Sequence, residues 1–247
     1  MTTTGAETLP ILYRDDRMVV VDKPSGLLVH RSPIDRHEIR FALQIVRDQL
    51  GRRVYPVHRL DKGTSGALVF ALDTDSARAL TQAFATREVI KTYWAVVRGW
   101  PEPYGMIDCP LAAVEDARIG PQSMEPRAAQ TAFRRLATYE LPVRVDRYPT
   151  SRYALVELSP LTGRRHQLRR HLAGASHPII GDSTYGKGRH NRLFLETLGT
   201  SRLLLACVRL EFAAGPDGAP LAIDAPPAPE FAGLLATLQS RYAASVS

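Results

Sequence analysis

The sequence predicts a mixed α/β (α+β) domain built on a largely antiparallel central sheet flanked by helices and loops. Three observations predict it. Strand-like apolar runs and helical periodicities are interspersed without strict alternation. No glycine-rich dinucleotide fingerprint follows any strand-like run. The 247 residues, 45% of them hydrophobic, supply enough apolar side chains for one enzyme-sized core.

Residues 18–21 form a short apolar run closed by Lys23-Pro24-Ser25-Gly26, which reads as a buried strand entering a turn. From Asp35 the pattern is helical, with Asp35 as cap, Glu38 at the capping-box position, and Ile39, Leu43, Val46 and Leu50 on one face before Gly51. Residues 66–72 read as a central strand, and Ala79, Leu80, Ala83 and Phe84 mark an amphipathic helix. Across 91–98 the side chains alternate, with Tyr93, Ala95 and Val97 on one face and Trp94 and Val96 on the other. Residues 100–126, rich in proline and acid, read as a long connection or insertion. Strands are expected at 131–139, 153–158 and 202–212, a basic helix at 165–173, a turn at Gly215-Pro216-Asp217-Gly218 and a closing helix at 230–242. No internal repeat or linker divides the chain, so one domain with an insertion over residues 1–247 is expected.

Composition narrows the function. Cys109 and Cys207 form no CxxC and lie near no histidine cluster of metal-ligand spacing, which predicts a reducing compartment and no structural metal. The start of the chain lacks a basic region followed by an apolar one, and no apolar run is long enough to cross a bilayer, so a cytoplasmic protein without membrane attachment is expected. The formal charge of +7 permits a polyanionic partner without establishing one. Only Lys23, Lys62, Lys91 and Lys187 are lysines; the remaining basic residues are arginine. Three of those lysines fall in the short runs KPSG, HRLDK and KTYWA.

The run His58-Arg59-Leu60-Asp61-Lys62-Gly63-Thr64-Ser65-Gly66 places a carboxylate in a turn ahead of a buried strand. A turn aspartate is commonly structural, bonding backbone two residues on. A kinase catalytic loop is excluded by the missing downstream motifs, and Gly63-Thr64-Ser65-Gly66 is not a serine-hydrolase elbow. The run Thr162-Gly163-Arg164-Arg165-His166-Gln167-Leu168-Arg169-Arg170-His171 concentrates four arginines and two histidines in ten residues. It is either a solvated basic helix face or a surface for RNA. His166 and His171 point about 140° apart on a helix and make a poor metal pair. His166 and Arg169 share a face, and Gly163 ahead of the helix leaves leading amides open to an anion such as phosphate.

In order, KPSG (23–26), HRLDKGTSG (58–66), KTYWA (91–95), TGRRHQLRRH (162–171) and HPIIGD (177–182) resemble the RluA-type pseudouridine synthases over essentially the whole chain. The resemblance implies the pseudouridine synthase fold and an isomerase that converts uridine to pseudouridine in RNA. Within the family, residues 23–36 and 147–172 are most similar to members acting on tRNA. The class modifying uridine 65 is thereby implied, with ribosomal RNA as the alternative substrate and a non-catalytic RNA-binding module as the alternative function. A separate N-terminal RNA-binding domain is not expected before Leu9.

By position, the resemblance implies that Asp61 is the nucleophile and that Arg59 helps displace the target base. It also implies that Tyr93 stacks on the uracil and acts as a base, and that Arg169 pairs with Asp61. Lys23, His58, Arg165, His166 and Arg170 are candidate RNA contacts. Where relatives often carry a histidine, the run 202–207 has Ala206. The reaction breaks the N1–C1′ bond and joins C5 to C1′ within one substrate, so neither redox cofactor nor metal is expected, nor an obligatory protein partner. Unstacking the base costs a few kcal/mol, which aromatic stacking of about 1–3 kcal/mol by Tyr93 offsets in part.

Overall fold

The computed structural model describes residues 7–31, 37–112, 125–213 and 218–244. They fall into two compact units, one of residues 1–90 and 209–226, the other of residues 91–208 and 227–247.

In the first unit β1 (Ile11–Arg14) pairs antiparallel with β2 (Met18–Lys23). After α1 (Ala42–Leu50) and β3 (Tyr55–Pro56), β4 (Ser65–Ala71) pairs antiparallel with both β2 and β3. Every residue of β4 is buried, as its unbroken apolar run predicts for a strand covered on both faces. The register Lys23↔Gly66 sets the end of β2 beside the start of β4, which brings the KPSG and HRLDK turns to the same edge. α2 (Thr74–Thr86) starts where the Asp73 carboxylate accepts the amides of Asp75 and Ser76 at 2.9 and 2.8 Å.

The capping box expected at Asp35 and Glu38 does not start α1: Asp35 lies outside the described residues, and the helix begins at Ala42. Its leading amides are satisfied by another route, Ala42 N donating to Leu28 O at 2.8 Å and Leu43 N to Val29 O at 3.0 Å. A backbone cap leaves no trace in side-chain spacing, and Ile39 is consequently outside the helix and exposed.

The second unit holds β5 (Val89–Arg98) from Lys91 onward, β6 (Tyr104–Asp108), β7 (Gln130–Leu141) and β8 (Ser151–Pro160), antiparallel in the order β5-β8-β7-β6. Its helices are α3 (Gln167–Gly174), α4 (Gly188–Leu198) and α5 (Pro229–Tyr242). Tyr139, Tyr153, Phe194, Phe231 and Leu238 are the large side chains of its core. β9 (Leu205–Phe212) ends in the first unit, where it pairs antiparallel with β10 (Leu221–Asp224).

Besides the short strands β1, β3 and β10 of the first unit, two elements of the second went unpredicted. β6 lies inside the stretch read as a connection: flanked by prolines, with a glycine in its middle, it shows little strand propensity. Gly105 is required by packing, because a Cβ would meet the Phe133 ring at 2.8 Å. α4 has only His190, Leu193 and Phe194 buried, too few to stand out as a periodic face. Most of the turn expected at 215–218 lies outside the described residues.

Candidate active site

The loop carrying Asp61 is tied down by backbone and by the KPSG turn. Thr64 N donates to Asp61 O at 3.0 Å, Gly26 N to Lys62 O at 2.8 Å, and Ser25 Oγ to Gly63 O at 2.7 Å. Gly26 has φ of 85°, a left-handed value that a residue with a side chain adopts only under strain. Lys23, a candidate RNA contact, is fully buried. Its Nζ donates to Leu27 O (2.7 Å), Pro24 O (2.9 Å) and Lys62 O (3.3 Å). These carbonyls take up ammonium donors that burial would otherwise leave unsatisfied. Lys23 thus anchors the residue beside Asp61 from below.

His58 is also held by protein. Its Nε2 accepts Val69 N at 3.0 Å, and its ring stacks on Phe84 with centroids 4.4 Å apart. Arg59 is exposed, Asp61 half-buried, and Lys62 pairs with Glu38 at 2.7 Å. The first unit therefore brings Lys23, His58 and Asp61 around one loop, on which Arg59 is exposed.

In the second unit α3 begins at Gln167, two residues later than expected, and Gln167 explains why. Its side chain is buried. Its Oε1 accepts Arg164 N (3.0 Å) and Thr162 Oγ1 (2.7 Å), while its Nε2 donates to Gln130 O (2.9 Å) and Thr131 Oγ1 (3.0 Å). The Arg164 amide, one of those expected to await an anion, is thus taken by the protein. His171 joins Thr131 Oγ1 and Cys109 O, each at 3.0 Å, and burial lowers its pKa. With Gln167, Leu168, Arg169, His171 and Leu172 all buried, α3 is an interior helix and not a solvated basic face.

Arg169 is gripped by Asp182, Nε to Oδ2 at 2.7 Å and Nη2 to Oδ1 at 2.8 Å. Thr184 N and Tyr185 N also donate to Asp182 Oδ1, at 2.9 and 3.0 Å. Burial pushes the Asp182 carboxyl up, but the Arg169 guanidinium and these amides outweigh it and hold the group below the usual carboxylate range. Asp182 takes two of the five N–H donors of Arg169. The Tyr185 ring lies 5.1 Å from the guanidinium carbon, and its hydroxyl meets His166 Nδ1 at 3.1 Å. His166, just before α3, sits at φ 54°, a left-handed value disfavoured for a residue with a Cβ. Arg170 turns away and donates to Ala112 O at 2.9 Å; Arg165 is half-buried.

Tyr93 is 8% exposed and opposite Leu158 in the β5–β8 register, with Ala95 and Val97 buried on its face. Sequence reasoning assigned no role to Asp182, Gln167 or Tyr185. The run HPIIGD ends on Asp182, and an aspartate among apolar residues was the available signal.

The family model described as RNA pseudouridylate synthase matches residues 17–174, more than half of the chain. The chain belongs to this family and is an isomerase converting uridine to pseudouridine in RNA. It is 48% identical over 207 residues to tRNA pseudouridine synthase C of Vibrio cholerae, covering 83% of this chain and 85% of that one. It is 47% identical over 220 residues to tRNA pseudouridine synthase C of Salmonella typhimurium, covering 88% and 85%. Among solved structures it is similar to human RNA pseudouridylate synthase domain containing 4, with TM-score 0.69, 27% identity and 93% of each chain covered. Human RNA pseudouridylate synthase domain containing 1 superposes with TM-score 0.68 at 25% identity, covering 99% of this chain and all (100%) of that one.

Proposed function

We propose that the protein isomerises a uridine of tRNA, uridine 65, with Asp61 as the nucleophile. The observation that carries the substrate class is the 48% identity, over four-fifths of both chains, to a synthase named for tRNA. The Asp61 carboxylate bonds to the substrate as the N1–C1′ bond breaks, the uracil turns, C5 bonds to C1′, and the bond to Asp61 breaks and returns the carboxylate. The C5 proton leaves and N1 gains one, so atoms and electrons balance within the substrate and no cofactor takes part. Tyr93 stacks on the flipped uracil and takes the C5 proton, while Arg169 balances the carboxylate charge. A residue that must keep its charge in a partly dry site needs its own orientation fixed, and the bidentate hold of Asp182 does this for Arg169.

Positioning roles for Lys23 and His58 are supported by the backbone bonds of Lys23 Nζ and His58 Nε2. Arg59, exposed on the same loop, is the residue that reaches the RNA to displace the base. Among the described residues no helix is long and apolar enough to cross a membrane, and a reducing cytoplasm, where tRNA is found, is the compartment proposed.

Tritium at uracil C5 is released to water when C5 bonds C1′ and loses its proton. Purified protein should release it from labelled tRNA, and tRNA from a strain lacking the protein should lack pseudouridine at position 65. Release from ribosomal RNA with none from tRNA would establish the alternative substrate, and binding without release would establish a non-catalytic module.

A further inference from the structure

We propose that the loop joining β7 to β8 is a second RNA-contact surface, which holds phosphates and one unstacked base of the tRNA far from the target uridine. The proposal rests on the tRNA reading above. It concerns residues that the catalytic assignment does not use.

The loop and its neighbours, all in the second unit, carry arginines interleaved with aromatic rings. Tyr148 is 60% exposed, with the Arg147 guanidinium carbon 4.7 Å from its ring centroid. Arg152 lies 4.2 Å over Trp100. Arg144 and Arg147 are exposed, and among the described residues no salt bridge takes up either charge. Two acids interrupt the patch, and both are already occupied. Asp146 meets Arg98 Nη2 at 2.9 Å and His190 Nε2 at 3.1 Å, while Glu140 accepts Thr150 Oγ1 at 2.5 Å and lies 3.5 Å from Arg152.

The loop is also braced. Ser151 Oγ donates to Val143 O at 2.8 Å and Arg144 Nε to Asp146 O at 3.1 Å. A large aromatic left exposed on such a loop, with a cation on its face, is the arrangement that stacks an unpaired base beside its phosphates. A merely solvated loop has no use for it.

Position sets the kind of RNA. Tyr93 pairs with Leu158, and α3 is tied through Gln167 to Gln130 and Thr131, at the Pro160 end of β8. The loop leaves from the Ser151 end. At about 3.3 Å per residue, the seven steps from Leu158 to Ser151 span about 23 Å. An RNA seated at Tyr93 reaches the loop only if it extends about 23 Å from its target, so full tRNA reaches it and a hairpin trimmed to less than that span does not.

The test compares wild type, Arg144→Ala/Arg147→Ala, Tyr148→Ala and Tyr148→Phe. Each is measured on a full tRNA transcript and on the hairpin cut from it that retains the target uridine. The double arginine variant should lower the salt slope of tRNA binding by about 1.4–1.8, the value for two lost phosphate contacts. Tyr148→Ala should weaken tRNA binding about tenfold, within the range for one lost stacking contact. Tyr148→Phe keeps the ring and should bind as wild type. Hairpin affinity and saturated single-turnover rate should be unchanged in all three. Active wild type with tRNA affinity untouched in the alanine variants, or an equal loss on the hairpin, would overturn the loop surface alone. Wild type inert on tRNA would overturn both readings.

Discussion

Lys23 and Arg169 are both cations in the interior, solved differently. Lys23 donates to three backbone carbonyls, and substituting Lys23→Met would strip Leu27, Pro24 and Lys62 of a donor at once. An unsatisfied buried group costs about 1–3 kcal/mol, and some of these carbonyls reach water once the turn loosens. Lys23→Met should therefore destabilise the protein by about 2–4 kcal/mol in urea titration and slow single-turnover isomerisation more than it weakens RNA binding. Asp61→Asn keeps the shape of the side chain without its nucleophilic oxygen. It should abolish tritium release while melting temperature and RNA affinity stay near wild type, and turnover above background would remove Asp61 from the central role. At this scale the sequence marked candidate residues without showing where their side chains lie. The same motif lettering marks Lys23, which is buried, and Arg59, which is exposed, because burial depends on strands distant in sequence.

At the level of elements, α3 shows how far local patterning reaches. Its basic residues suggest a wet face, yet its inward side is chosen by two contacts, Gln167 to β7 and Arg169 to Asp182, neither of which has a local signal. The long apolar strands were legible because burial on both faces leaves a run that no helix face imitates. The start of α1 and the whole of β6 were not, since the first is capped by backbone and the second is a short edge strand around a glycine.

Gln167→Leu would leave the Arg164 amide, Thr162 and Thr131 to find other partners and should lower stability by about 2–4 kcal/mol. Faster amide exchange confined to α3 and the start of β7 would show that the loss is local. Arg169→Ala leaves the Asp182 carboxylate buried without its cation, which costs about 3–5 kcal/mol at neutral pH. The depressed pKa of Asp182 gives the wild type stability that is complete above the unfolded value and lost as pH falls through the folded one. In Arg169→Ala the carboxyl can protonate early, so the gap between the two proteins should narrow in acid. A gap independent of pH would mean that the cost is packing and not charge. Turnover should fall further than RNA affinity in this variant.

At the scale of the whole molecule, two buried histidines of the second unit should add a pH dependence to stability. His190 is lowered in pKa by burial and by the Arg98 charge, against the pull of Asp146. Its Nε2 lies 3.1 Å from Arg98 Nε, a donor, and 3.1 Å from Asp146 Oδ2, an acceptor, while its Nδ1 is 2.8 Å from Tyr153 Oη. Neutral His190 with its proton on Nδ1 satisfies Arg98 and Tyr153; a second proton on Nε2 would satisfy Asp146 and turn Arg98 away. His171 is lowered chiefly by burial, opposed by its bond to Cys109 O, with Arg170 adding to the depression.

Because both folded pKa values lie below the unfolded one, the unfolded chain takes up protons first as pH falls through about 6.5. Stability should be full above that pH and decline below it until the folded values are reached, by at most about 1.4 kcal/mol per pH unit for each histidine. Urea titrations from pH 8 to pH 5 measure the slope. His190→Gln, which keeps a polar side chain without titrating, should remove the part of the slope that His190 supplies even if it lowers stability at pH 8. A wild-type curve flat from pH 8 to pH 5, or a slope unchanged in His190→Gln, would show that His190 does not carry this pH dependence.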